Sequence, residues 1–487
     1  MDVSPRVSRT SSGPTATASP PSVSWRGQAP RSRDRGRFRS RVTRTLLSSP
    51  SARRATVRCS RCPASCRGVG DTVYLSLRDP AAPRASRGRR GRVSSTVVTL
   101  GIVSLLTDIS SEAVAAVLPL YLTSAMGLTF VAYGFIDGLF QGAGALVRVA
   151  GGWASDRGDR PKWVAFAGYV LSALTRGGLV LAQGFTSVTA LVTIDRIGKG
   201  IRTAPRDALI TASSDPRSVA RAFGVHRALD TVGAALGPLL AFVTLSVIPE
   251  GYTTVFVMSF GCAVVGVAVL GLLVPDRRPR RELAGPGAQP EPMRWRQFAD
   301  PRLRRLLVAM GVLSLLTVGD GFLYLSLQDR DGFAAQWFPL LFVGTNIVYI
   351  ALAIPLGRIA DRFGGARTLV LGHVALAGAY VCAAVPAGGT ALTVTCLALL
   401  GAFYAATDGV LSAVAGRLVE PAVRGSAIGA AQGVVALARM LASTSFGALW
   451  YALGRADAML VVTVLLSLAV PACVLLTRGL DGHSEAL

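Results

Sequence analysis

Lysine is almost missing from this chain. Of 51 basic residues only Lys162 and Lys199 are lysines and the rest are arginine. Such a bias points to GC-rich coding, and it makes each lysine a residue to explain. No GxxxxGK[ST] loop occurs, and the glycine-lysine pair Gly198-Lys199 sits inside an apolar helix-length run, so ATP-driven transport is not expected. Cysteine is sparse at seven residues. Cys59, Cys62 and Cys66 have metal-like spacing but lack a fourth ligand and any neighbouring histidine, which argues against zinc. Cys262, Cys382, Cys396 and Cys473 fall in apolar runs, where thiols act as small core fillers. No metal site, cofactor or enzymatic constellation is expected.

Apolar residues are abundant instead. They make up 51% of the chain and the mean hydropathy is +0.48, too high for a soluble protein with ordinary loops. Runs near the ~20 residues needed to cross a bilayer recur from Val97 to Thr477. Apolar windows and breakers predict spans at 97–123, 131–154, 163–182, 187–210, 221–247 and 253–274. A second set falls at 306–328, 337–360, 368–386, 391–416, 426–451 and 457–477. The expected fold class is therefore all-α, with twelve transmembrane helices in two parallel six-helix repeats. The expected organisation is a tail (1–92), an N-terminal half (93–274), a cytoplasmic linker (275–305), a C-terminal half (306–477) and a short cytoplasmic end (478–487).

Charge is uneven. Residues 1–92 hold 21 Arg and 4 Asp, and residues 93–487 hold 30 basic and 23 acidic side chains. The tail is rich in Ser, Pro and Arg without any period, a composition that cannot bury a core. It reads either as a basic arm for nucleic acid or anionic lipid, or as residues 1–72 lying upstream of the true start; the second reading is preferred, and no nucleic-acid partner is expected. In the body, arginine and lysine crowd one set of short loops and leave only Arg330 and Arg455 on the other, which predicts cytoplasmic termini in a multi-pass plasma-membrane protein.

The two halves repeat. Gly152-Trp-Ala-Ser-Asp156-Arg157 and Gly357-Arg-Ile-Ala-Asp361-Arg362 each follow the second span of their half, 205 residues apart. Gly101-Ile-Val-Ser-Leu-Leu-Thr107 matches Gly311-Val-Leu-Ser-Leu-Leu-Thr317 at an offset of 210. Paired charged turns in parallel six-helix repeats resemble the major facilitator superfamily over residues 93–477. In the first turn Gly158 comes one residue early and Asp159 stands where that family usually has Gly. Gly at a helix end permits a sharp turn, Asp156 and Asp361 can face the positive end of a helix from the other half, and Arg157, Arg160 and Arg362 can pair with carboxylates. The resemblance implies that these residues form a cytoplasmic latch that breaks on switching.

The fourth span carries Asp195-Arg196-Ile-Gly-Lys199-Gly-Ile-Arg202-Thr-Ala-Pro205-Arg206-Asp207, charges that would be costly facing lipid. Asp195, Lys199 and Arg202 share one stripe, able to line a water-filled cavity. Arg196 with Gly198 and Gly200 resembles the superfamily's R-x-x-x-G signature, linked to proton coupling. The run as a whole, DRIGKGIRTAPRDAL, resembles a prokaryotic subgroup of carriers with largely unassigned substrates. Asp108 and Glu112, four apart in the first span, face one side and can pair with Arg196 or Lys199 or carry a proton. Asp320 sits near the middle of the seventh span. Asp137, Arg148, Arg176, Asn346, His373, Asp408 and Arg439 are weaker candidates, and His226 is expected to be structural. Gly233-Ala-Ala-Leu-Gly237-Pro238 resembles the superfamily's antiporter motif in helix five, where small residues allow close packing and Pro238 bends the helix.

The expectation is a monomeric carrier that moves a small solute across the bilayer by alternating access, coupled to protons and working as an exporter. Uptake or exchange of an organic anion, and a non-transporting sensor or scaffold of the same fold, are the rival readings.

Overall fold

The computed structural model describes residues 94–158, 160–215, 218–276, 300–420 and 424–481, with backbone alone at 145–146 and 148–158. The tail and most of the 275–305 linker lie outside the described residues, as do the side chains of Arg148, Asp156 and Arg157. Among the described residues there are thirteen α-helices and no strand. They are α1 (Ser95–Leu120), α2 (Phe130–Gly158), α3 (Pro161–Leu181), α4 (Gly184–Ala212), α5 (Val219–Val247) and α6 (Tyr252–Leu273). There follow α7 (Pro301–Leu315), α8 (Asp320–Asp331), α9 (Phe338–Phe363), α10 (Gly365–Ala384), α11 (Thr390–Arg417), α12 (Arg424–Leu453) and α13 (Arg455–Leu476). Ten helical segments among the described residues are long and apolar enough to cross a bilayer, with α7 and α8 together forming one, Pro301–Asp331. α4 is too charged to count by composition, since Asp195, Arg196, Lys199, Arg202, Arg206 and Asp207 all lie on it.

Proline marks several helix starts: Pro161 and Pro301 occupy first-turn positions of α3 and α7, where no amide hydrogen is needed. Pro119, Pro205, Pro238, Pro355 and Pro471 lie inside helices that continue past them. Neighbouring membrane helices support backbone that proline frees, so these residues bend rather than end a span.

The seventh expected span, 306–328, is not one helix. It breaks between Leu315 and Asp320. The Tyr380 hydroxyl accepts from Val318 N at 2.7 Å and donates to Leu316 O at 3.1 Å, which satisfies backbone that the break would leave bare in an apolar setting.

Packing has a two-fold pattern. α1 lies on α5 and α6, α3 on α4 and α6, and α2 on α4; α10 lies on α11 and α13, and α9 on α11. The sets meet through α2 on α12 and α5 on α9, so the second and fifth spans of one set touch the fifth and second of the other. Gly233 and Gly237 seat α5 against α1. A Cβ at Gly233 would stand 2.9 Å from Leu105 Cα, and one at Gly237 2.8 Å from Ala113 N.

The connections from α2 to α3, α4 to α5, α9 to α10 and α11 to α12 share one end of the bundle, called here the basic end. At the opposite end the structure is shut by rings. Phe130 stacks on Trp450 at 4.6 Å, Tyr133 meets Phe322 edge-on at 4.6 Å, and Phe322 meets Phe446 at 4.9 Å. Each such pair contributes about 0.5–1.5 kcal/mol beyond burial.

Candidate functional site

A cavity of about 1020 Å³ lies between the two sets of helices. Its walls come from the C-terminal halves of α4 and α11 and the N-terminal halves of α5 and α12, which places its mouth at the basic end. Asp108, Arg196, Lys199, Arg202, Arg206 and Asp230 form one wall. Asn346, Tyr349, His373, Thr407, Asp408 and Arg439 form the other.

The ionisable stripe of α4 divides between two environments. Asp195 turns away from the cavity into the α3 contact, where Arg176 meets it at 2.7 Å and Arg196 also pairs with it; the Arg176 and Asp195 side chains are each 4% exposed. Arg176 donates in addition to Ser111 Oγ at 3.0 Å, which joins α1 to the cluster. Arg196 stacks over the Phe140 ring at 3.8 Å and Arg202 over Tyr169 at 4.5 Å, arrangements that hold a guanidinium where water is scarce. The buried Arg202 Nη1 has no hydrogen-bond partner among the described residues.

Lys199 behaves differently. Its ammonium is 4.0 Å from Glu112, and both side chains are about a third exposed, at 39% and 32%. Asp108 on α1 and Asp230 on α5 line the same wall within electrostatic range of each other, with Lys199 and Glu112 also in range of Asp108. From Asp230 a polar chain runs toward the mouth. Arg206 approaches Asp230 at 3.9 Å, donates to Asp207 at 3.0 Å and to Ser104 Oγ at 3.3 Å, and Ser104 bonds His226 Nε2 at 2.9 Å.

Of the residues predicted from sequence, the structure brings Asp108, Arg196, Lys199 and Arg202 onto one cavity wall, with Glu112 beside Lys199. Asp195 and Asp320 are not on that wall. Asp320 is the first residue of α8 and accepts from the Tyr404 hydroxyl at 2.6 Å. Arg176, a weaker candidate, proves to be the closest basic partner of Asp195 outside α4.

At the basic end, Asp361 does not meet a helix end of the other set. It pairs with Arg417 of α11 at 3.0 Å, and both side chains are well exposed. The N-terminus of α10 after Gly364 is taken by Asp481, whose carboxylate accepts from Ala366 N at 2.9 Å. Gly357 lines a groove of about 250 Å³ between α9 and α11, and Arg362 is exposed beside it. Gly152 lies within α2 and Arg160 is exposed at the start of α3. Among the described residues no cluster of three or more His, Cys, Asp or Glu could hold a metal ion.

Known proteins share this architecture. The sequence pattern of the Major Facilitator Superfamily matches residues 100–443 and again 328–484. An uncharacterised MFS-type transporter of Methanocaldococcus jannaschii is 28% identical over 370 residues, 74% of this chain and 89% of its own length. An uncharacterised protein of Mycobacterium tuberculosis is 28% identical over 397 residues, 80% of this chain and 89% of its own. Among solved structures, the nucleoside transporter NupG superposes with a TM-score of 0.67 at 15% identity, covering 79% of this chain and 99% of that one. An inward-facing bacterial homologue of the lysosomal transporter Spinster gives 0.61 at 16% identity, covering 80% and 98%.

Proposed function

The chain belongs to the Major Facilitator Superfamily, and from that premise we propose that this secondary transporter exports a small solute in exchange for protons. The observation that carries the reading is the large charged cavity, open at the basic end and shut by aromatic rings at the other. An opening at one end only is what alternating access requires, and the positively charged loops there support a cytoplasmic orientation of that end. The N-terminal half, about residues 93–274, rocks against 306–477 around the α2–α12 and α5–α9 contacts. The C-terminal end of α2 with its following loop (152–160) and the end of α9 (357–362) close the cytoplasmic side in the alternate state, so that Asp361 gives up Arg417 for the other half.

Proton coupling is assigned to Asp108, Glu112 and the α4 cations. Two neighbouring carboxyl groups repel when both are ionised and so favour holding a proton, and Asp108 and Asp230 lie in range of each other on the cavity wall. A proton added or lost there changes how tightly Lys199 is held, and so what its ammonium offers to a solute. Arg206, Ser104 and His226 lead from that pair to the mouth. A second reading, exchange or uptake of an organic anion, is favoured by one observation: Arg196, Lys199 and Arg202 all line the cavity.

An untargeted comparison of solutes held or expelled by cells with and without the gene identifies the cargo. Proton flux driven by that cargo in proteoliposomes then tests the coupling. Loss of flux in Asp108→Asn combined with Glu112→Gln is expected. Undiminished flux in the double variant removes both carboxylates from the coupling role.

A further inference from the structure

We propose that the break in the seventh span is a second proton site, formed by Asp137 and Asp320 with the Tyr133 hydroxyl and lying between the two halves. The proposal rests on the alternating-access reading but not on the cavity carboxylates.

The local sequence is Gly319-Asp320-Gly321. The two glycines leave space on either side of Asp320, and α2 fills it. A Cβ at Gly319 would collide with the Asp137 carboxylate, and one at Gly321 with the Tyr133 hydroxyl. Asp137 accepts from Ser443 Oγ of α12 at 2.5 Å and Asp320 accepts from Tyr404 of α11, so each carboxyl is held through one oxygen by the C-terminal set of helices. The Tyr133 ring is 2% exposed, its hydroxyl has no hydrogen-bond partner among the described residues, and it lies in electrostatic range of both carboxyls. An unpaired buried hydroxyl costs about 1–3 kcal/mol. A buried hydroxyl in range of two carboxyls, with no bond to either among the described residues, marks a spot where a proton can be taken up and released.

The surrounding charges leave room for one proton. Arg439 of α12 is in range of both carboxyls, yet its guanidinium lies over the Tyr404 ring at 5.8 Å rather than in either of them. Two carboxylates and one guanidinium sum to a single negative charge, which one proton cancels. Asp408 of α11 is also in range of Asp320 but opens to the cavity, where water screens it. Tyr324 and Tyr380 face Asp320 as neutral hydroxyls already engaged, with Thr345 at 2.8 Å and with the α7–α8 break.

The site is built across the surface that must part. Asp137 and Tyr133 belong to α2, while Ser443, Asp320 and Tyr404 belong to α12, α8 and α11, and Phe322, Phe446 and Trp450 seal it from the far end. Separating α2 from α12 breaks the Asp137–Ser443 bond and admits water. The closed arrangement buries the pair and so holds a proton more firmly than the open one. By linkage, protonation favours the closed far end and deprotonation favours its opening.

The test needs no solute. Full-length protein in lipid nanodiscs carries spin labels at Val247 on α5 and Leu453 on α12, and the inter-label distance is followed as pH is varied and as Na⁺ replaces K⁺ at fixed pH. The expected result is a growing far-end-open population as pH rises, with no response to Na⁺. Asp137→Asn with Asp320→Asn takes away both titrating carboxyls and so removes that pH dependence. Tyr133→Phe moves the midpoint by about one pH unit, a tenfold change in proton affinity. A pH response that survives the double Asn variant with its midpoint unchanged, or one that follows Na⁺ instead, overturns the proposal. Should the Asn variants fail to fold, an unmoved midpoint in Tyr133→Phe overturns it alone. A distance that never changes under any condition sinks alternating access as well, which separates the two failures.

Discussion

Asp195 is the residue whose substitution should reveal most about how α4 is held. Its carboxylate meets Arg176 at 2.7 Å and pairs with Arg196, and Arg202 is in electrostatic range. All four side chains are nearly buried. Asp195→Ala would leave three guanidinium groups facing one another with their shared carboxylate gone. Removing one partner from a buried pair costs about 3–5 kcal/mol, roughly two to four decades in the folding equilibrium. The isosteric Asn variant should fall at the low end, since its amide oxygen still accepts a hydrogen bond. Arg176→Met should be milder than Asp195→Ala, because Asp195 keeps Arg196 and only the bond to Ser111 is lost besides. The assay is reversible unfolding of the purified protein in mixed micelles with increasing SDS, read by helical content. An Asp195→Ala variant that unfolds at the wild-type SDS fraction would refute the reasoning. So would an Arg176→Met variant more damaged than Asp195→Ala.

Three further outcomes are expected. Gly237→Val should abolish the α1–α5 fit, since even a Cβ there stands 2.8 Å from the α1 backbone; size-exclusion profiles should show little monodisperse protein. Tyr380→Phe removes the hydroxyl that bonds both sides of the α7–α8 break and should cost about 1–3 kcal/mol in the same SDS assay. Asp361→Asn breaks an ion pair whose side chains are 68% and 64% exposed, so the unfolding midpoint should move by no more than about 0.5 kcal/mol. A latch role for Asp361 predicts instead a slower transport rate and altered thiol accessibility at the cytoplasmic face.

Much of the fold is legible in the chain because bilayer crossing imposes a length and composition that few other structures share. The twelve expected spans differ from the helices mainly at their ends, apart from the seventh. That break hides because Leu313 to Leu327 is apolar apart from a few small or polar residues, and hydropathy averages over a kink. The signal was the pair of glycines around Asp320, meaningful only once Asp137 and Tyr133 of α2 are seen to occupy the gaps. The stripe on α4 was legible, but its division was not. At 100° per residue, Asp195 and Lys199 differ by about 40° around the helix. That angle is enough for one to face α3 and the other the cavity. Arg176 gave a weaker signal because a single arginine in an apolar helix does not name its partner. Asp108 and Asp230, 122 residues apart, share one cavity wall, and no local spacing announces it.

Alternation between two closed ends is tested most directly by thiol access to the cavity. In a cysteine-free background, Thr231→Cys places a thiol on the cavity wall, and Phe130→Cys with Trp450→Cys places a crosslinkable pair where two rings now stack at 4.6 Å. A membrane-impermeant reagent should label position 231 readily from the cytoplasmic side and, in a minor fraction of molecules, from the outside. Crosslinking 130 to 450 should abolish only the outside labelling, and reduction should restore it. Outside labelling that is indifferent to the crosslink would contradict the account.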